Sequence, residues 1–441
     1  MPQRWRWRGA AEYREMLLLA VPLLVGQLGQ VVLSFADSAM VGNHGVEDLG
    51  AASFCVNLFN LPLIFLMGYS YGVLPALGRA FRDVGGMHSV VAAGVRNMLW
   101  VSACVTLVMG VPLLFLEAFH QPPELHDRIV SYYLLMLGSL PAVGLFNVLK
   151  QFFDVRGKTW ISMVVLLVAN GLNIFGNWLL IFGKLGFPEW GLFGAGVSTV
   201  VCRLMECVVL WVLYLHWQGR HPAPKPVTSV LGRWELLRNG SGMGLQLGLE
   251  TAMFSLSVIF VGWLGNAALA AHHIAVTVQT LGFMTYYGLG GAVSIRVSRA
   301  IGQGQPKRAR LTAAVGLRLM WGCAAVIAVL MGIFRTPIAA LFTPAPAVAA
   351  LAGTLLLVGI AYQPADALQV CYANALRGVG DAKGLGVISF VSYFLFGLPL
   401  TYLLGTTLEL GAVGVWLGYP VGLLAAGVAY AWRFYRVLGK G

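Results

Sequence analysis

Four carboxylates define the chemistry this chain could do. Of its 17 acidic residues, Asp37, Glu206, Glu250 and Asp366 fall inside long apolar stretches. A charge is costly there and is kept only with a partner, a proton or a cation. Polar side chains accompany three of them at helical spacing. Gly26, Gln30, Leu33 and Asp37 follow i, i+4, i+7, i+11 and share one helix face. Gln246, Glu250, Met253 and Ser257 repeat that spacing 220 residues later, with the acid at the second position rather than the last. Tyr362, Asp366, Gln369 and Ala373 form a third stripe, and Asn170, Asn173 and Asn177 a fourth. The asparagines alone read equally as interhelical glue, worth about 0.6 kcal/mol per bond, or as ligands. Asp37, Glu250 and Asp366 have no Lys or Arg close by in sequence, which points to function. Glu206 has Arg203 three residues before it on the same helix, and a local ion pair is expected to make it structural.

The elements that carry these residues must be membrane helices. The chain has 441 residues, 58% of them hydrophobic and only 10% charged, with mean hydropathy +0.78. A soluble domain carries roughly 25% charged residues, so lipid must be the solvent over most of the surface. Apolar spans lie near 16–42, 49–78, 90–116, 130–149, 160–183, 191–216, 239–263, 268–295, 311–334, 348–376, 384–405 and 411–432. Each is long enough to cross a bilayer as a helix, and the runs are continuous rather than alternating, which excludes a barrel. The first run is too long for a cleavable leader. The six cysteines all fall inside apolar spans without metal-ligand spacing and read as small buried hydrophobes. No HExxH, Gly-x-Ser-x-Gly or Walker-type loop is present, so neither an intramembrane enzyme nor ATP hydrolysis is expected.

The net charge of +12 is placed by topology, not for nucleic acid. With the N-terminus on the cytoplasmic side, 23 of the 29 Lys and Arg fall in cytoplasmic segments, Arg296 and Arg377 among them. The opposite side receives Arg128, Lys184 and Arg335, so both ends are expected in the cytoplasm. Displacing the chain by 220 residues lays Val41-Gly42 on Val261-Gly262, Gly68 on Gly288 and Arg79-Ala80 on Arg299-Ala300. The expected architecture is an all-α polytopic membrane protein of twelve transmembrane helices in two pseudo-symmetric six-helix bundles. Its parts would be 1–216, a cytoplasmic linker at 217–238, and 239–441. An even number of helices per half makes the repeats parallel, about an axis along the membrane normal.

An unpaired carboxylate in a dry cleft lowers its cost by taking up a proton or by holding a cation. A cationic organic ligand would compete for the same charge, and that competition is an exchange rule. Gln30, Gln246, Met253, Phe254, Phe283, Met284, Tyr286 and Gln369 are the candidate lining of such a cleft, and Phe54, Phe59 and Tyr287 are aromatic candidates beside them. For any one of the aromatics and methionines, ordinary packing or lipid contact is the stronger reading.

Assembled, these residues resemble the multidrug and toxic compound extrusion (MATE) family over essentially the whole chain. The resemblance rests on Pro22 through Asp37-Ser-Ala-Met-Val-Gly42, on Ala270-Ala-His-His-Ile-Ala275, on Gly291-Ala-Val-Ser-Ile-Arg296 and on Asn374-Ala-Leu-Arg-Gly-Val-Gly-Asp381. It implies a two-bundle transporter of the inner (plasma) membrane, not an enzyme, which expels amphipathic, often cationic compounds in exchange for Na⁺ or H⁺. Glu250, Tyr362 and Asp366 resemble the cation site of a NorM-like branch, where they would be the metal ligands if the ion is Na⁺. Asp37, Asn173 and Asn177 resemble the acidic site of the first half. No cofactor beyond the coupling ion is implied, and a monomer in the bilayer is expected. Members commonly carry a proline early in the seventh helix, whereas this chain has Ser241-Gly242-Met243-Gly244. The alternative within the same superfamily is a lipid-linked saccharide flippase, but anionic headgroups would call for Lys or Arg in the cleft.

Overall fold

The computed structural model of the protein describes residues 3–119, 122–222 and 233–439. Twelve helices are long and apolar enough to cross a membrane: α1 (Ala10–His44), α2 (Val46–Arg79), α3 (Val84–Leu116), α4 (Pro123–Val155), α5 (Thr159–Ile181), α6 (Gly191–Arg220), α7 (Trp234–Trp263), α8 (Asn266–Gly302), α9 (Pro306–Phe342), α10 (Pro346–Val379), α11 (Ala382–Thr407) and α12 (Gly411–Gly439). No strand occurs among the described residues. The protein is thus an all-α polytopic membrane protein. Exposed large side chains such as Phe35, Trp100, Leu107, Val326 and Trp432 stand on outer faces, where lipid is the natural neighbour.

The helices run past the apolar stretches, because a helix can carry polar turns beyond the hydrocarbon. α6 extends to Arg220 and the next helix begins at Arg233, so both ends of the expected linker at 217–238 are helical; 223–232 lie outside the described residues.

Two compact units divide the chain elsewhere than the sequence halves do. One is Val25–Gly244; the other joins Met1–Leu24 to Leu245–Gly441. Buried charge explains why the start of the chain belongs to the second. Arg296 of α8 is buried and forms an ion pair with Glu12; its other nitrogen lies 2.8 Å from Glu15, and Arg308 Nε sits 3.0 Å from Glu12. Arg296, counted by sequence among the charges of the cytoplasmic segments, is held inside the protein by carboxylates that sequence separation hides.

Within Val25–Gly244, α6 packs on α4 and α5, while α2 and α3 cover α4. Buried Asp48 ties the His44 end of this unit together. It accepts from Leu192 N at 3.2 Å, lies 2.6 Å from His44 Nδ1, and pairs with Arg128. Helix α7 contains no proline and is continuous from Arg233 to Trp263. Glycines replace the kink with close approach: a Cβ on Gly72 would strike the Gly240 backbone, and one on Gly244 would sit 2.8 Å from the Phe65 carbonyl. In the other unit α10 is the central helix, packed on α8, α9 and α12. α11 is wound as a π-helix over Phe390–Gly397 and Leu403–Thr407, a local widening that often accompanies functional positions.

Candidate functional site

Each unit gathers acids with polar company, by different means. In Val25–Gly244, Asp37 projects from α1 toward the asparagine stripe of α5. Asn177 Nδ2 donates to Asp37 Oδ1 at 2.6 Å and to Asn173 Oδ1 at 3.1 Å, and Asn173 Nδ2 donates to Thr199 Oγ1 on α6 at 3.3 Å. Turning the Asn173 amide over brings its nitrogen to 3.0 Å from Asp37 Oδ1. Asn173 and Asn177 are buried, because α5 and α6 pack closely enough for the Ser198 hydroxyl to donate to the Asn173 carbonyl at 3.1 Å. Asn170, one turn further along, is buried, and neither of its amide atoms is bonded among the described residues. The stripe thus bonds around Asp37 at two positions and carries an unsatisfied amide at the third.

In the other unit Glu250 of α7 and Asp366 and Tyr362 of α10 lie within electrostatic reach of one another. Asp366 is 1% exposed and its Oδ2 has no hydrogen-bond partner among the described residues. Gln246 Nε2 donates to Glu250 Oε2 at 2.8 Å, the i, i+4 contact that the stripe predicts. Gln246 Oε1 in turn accepts from Arg377 Nη2 at 2.6 Å, and Arg377 Nη1 donates to Asn374 Oδ1 at 3.1 Å. Gln369 Nε2 donates to the Tyr393 hydroxyl at 2.8 Å, within the π-helical stretch of α11. Among the described residues, Asp37, Glu250 and Asp366 form no ion pair with Lys or Arg, although Arg377 stands one side chain from Glu250.

Sequence reasoning missed Arg377. It was expected to be a cytoplasmic charge, yet it is 3% exposed and bonded to the polar side chains beside Glu250. Its place four residues from the fully buried Ala373 stripe was the available signal. The candidate cleft residues divide. Met253 and Tyr286 are fully buried: Met253 packs against Gly397, and the Tyr286 hydroxyl donates to Gln363. Both sit in the packed interior of their unit. Gln246 is also fully buried, and its role is the bridge just described. Phe254 stacks near Tyr419, with ring centroids 5.3 Å apart, and Phe283 near Tyr287 at 5.9 Å. Phe254, Phe283 and Met284 are partly exposed, and Gln30 is exposed although its repeat partner is Glu250. The expected Arg203–Glu206 ion pair is absent among the described residues. Arg203 instead donates to Ser139 Oγ at 2.7 Å and lies over the Phe59 ring at 4.8 Å.

This architecture, two units each with buried acids among twelve membrane helices, defines a membrane transporter class. The chain belongs to the MatE family, which it matches over residues 22–179 and 243–403. It is 31% identical over 442 residues to the multidrug resistance protein NorM of Vibrio cholerae serotype O1, covering 96% of this chain and 95% of that one. It is also 31% identical to the multidrug resistance protein MdtK of Yersinia pseudotuberculosis serotype O:1b, with the same coverage. A mutant of the Vibrio cholerae MATE transporter VcmN has the same fold, with TM-score 0.86, 19% identity and 98% of each chain covered. So does a MOP superfamily transporter from Pyrococcus furiosus, with TM-score 0.85, 17% identity, and 97% of this chain and 96% of that one covered. The protein is a transporter and not an enzyme.

Proposed function

We propose that this protein is a secondary-active exporter of amphipathic, often cationic organic compounds, driven by exchange for Na⁺ or H⁺ through alternating access. It works in the inner membrane with both ends in the cytoplasm, and the sequence halves 1–216 and 239–441 are its repeat units. The observation that carries this reading is the group Glu250, Tyr362 and Asp366: two carboxylates, one with an oxygen unbonded, within reach of each other and without an ion pair. Two adjacent like charges in a dry place cannot both stay bare. A proton or a Na⁺ held by the oxygens of these three residues relieves them, and an organic cation does so in its place. Asp37 with Asn173 and Asn177 is a second position for the same exchange. The names of the NorM and MdtK relatives support a multidrug substrate range.

The test is efflux of a fluorescent organic cation from vesicles containing the purified protein, with Na⁺ and pH gradients imposed separately. Efflux driven by one gradient and abolished in Glu250→Gln is the expected result. Equal efflux with no gradient, or full activity in Glu250→Gln, removes the exchange reading.

A further inference from the structure

Glu206 occupies a place in the first unit that none of this explains. It lies on the inward face of α6, in line with Ser198, Cys202, Leu210 and Tyr214, and is 9% exposed. Among the described residues it makes no hydrogen bond and no ion pair. Its one nearby cation, Arg203, gives its guanidinium to the Ser139 hydroxyl and the Phe59 ring. The other side chains in electrostatic reach are the thiols of Cys202 and Cys207.

Arg203 itself is flanked by two acids. Asp37 and Glu206 are both within its electrostatic reach, together with the Tyr132 phenol of α4. One guanidinium can compensate one carboxylate, so with both acids charged this buried region carries an uncompensated negative charge. The surroundings of Glu206 decide what can neutralise it. A metal cation such as Na⁺ needs several oxygens to replace its water, as hard cations do generally, and the thiols of Cys202 and Cys207 do not supply them. A proton needs only the carboxylate.

We propose that Glu206 is an exchangeable proton-binding position of the first unit, coupled through Arg203 to the Asp37 site. It lies seven residues from Thr199 along α6, which is about 10 Å at 1.5 Å per residue, toward the Arg220 end. When Glu206 holds a proton, the charge of Arg203 is free to complement Asp37. When the proton leaves, the two carboxylates compete for it, and the affinity of the Asp37 site for a cation rises. This deepens the exchange reading and rests on it for its role in transport, but the proton-binding step is measurable without transport.

The experiment follows the carboxyl C=O stretch by infrared difference spectroscopy on the full-length protein in phosphatidylcholine vesicles. The pH is stepped between about 5 and 9, the range that covers displaced buried acids. Wild type is compared with Glu206→Gln, Glu206→Asp, Asp37→Asn and Arg203→Gln. The expected result is a protonated-acid band that titrates in wild type, is lost in Glu206→Gln, persists in Glu206→Asp, and changes its midpoint in both Asp37→Asn and Arg203→Gln. An acid band that never titrates overturns the proposal by making Glu206 a permanently neutral structural residue. So does an unchanged spectrum in Glu206→Gln that is still monodisperse. A midpoint unmoved by Asp37→Asn and Arg203→Gln overturns the coupling. Failure of the exchange reading looks different: the band titrates, but wild-type vesicles expel no organic cation under any gradient.

Discussion

Asp37 is met by neutral amides of Asn177 and, with its amide turned, Asn173, whereas Glu250 is met by an amide that is itself held by a guanidinium. Both acids are partly exposed, while Asp366 beside Glu250 is buried with an unbonded oxygen. The repeat that relates the two halves therefore conserves the helix face and not the environment. An amide cage can hold a carboxylate or its protonated form with little rearrangement, since an amide both donates and accepts. A relay anchored on Arg377 places a guanidinium one side chain from Glu250, whereas Asp366 Oδ2 has no partner among the described residues. The second unit is the more polarised of the two, and its occupancy should dominate the driving force.

That contrast can be broken most directly at the acids. Asp366→Asn is expected to lower gradient-driven efflux at least about a hundredfold, the scale of losing a charged interaction of about 2–3 kcal/mol. Asp37→Asn, which leaves an amide among amides, should lower it about tenfold, or about 1.4 kcal/mol. Efflux rates in vesicles with one fixed gradient decide the order, and a larger loss at Asp37 reverses the assignment. Two glutamines on the stripes, one in each unit, sharpen the comparison. Gln246→Leu leaves buried Arg377 and Glu250 without their bridge and should destabilise the protein by about 1–3 kcal/mol. Gln30→Leu, on an exposed position, should stay within about 0.5 kcal/mol. Thermal unfolding in detergent separates them, and equal midpoints mean the bridge contributes nothing. The smallest effect is expected at Thr199→Val, which removes one neutral hydrogen bond to Asn173 worth about 0.5–1.5 kcal/mol. Efflux should fall by less than about threefold, and a loss matching Asp37→Asn would make Thr199 a direct ligand.

What the sequence made legible were contacts with a helical period. Gln246–Glu250 and Asn173–Asn177 are i, i+4 pairs, and both are bonded. Twelve spans followed from apolar runs that only lipid can face. Contacts across the chain were not legible. Arg377 sits near a helix end, and its partner Gln246 is 131 residues away. Arg296 is the same case, its partner Glu12 being 284 residues off. Glu206 failed in the other direction. A correct local rule offered Arg203 as its partner, and a hydroxyl and an aromatic ring on other helices outbid it. Met253 and Tyr286 lie on the same stripe or helix as other candidate residues, but a face about 100° wide holds buried and partly exposed positions alike.

The anchoring of the chain's first turns has a practical meaning. Glu12 and Glu15 act as a counter-charge plug for Arg296 and Arg308, supplied by the opening residues to a unit whose other helices lie beyond residue 244. A deletion reaching residue 15 would strand a guanidinium in the interior, a loss of about 3–5 kcal/mol. The first turns of α1 thus complete the buried charge balance of a unit formed mainly by residues from Leu245 onward.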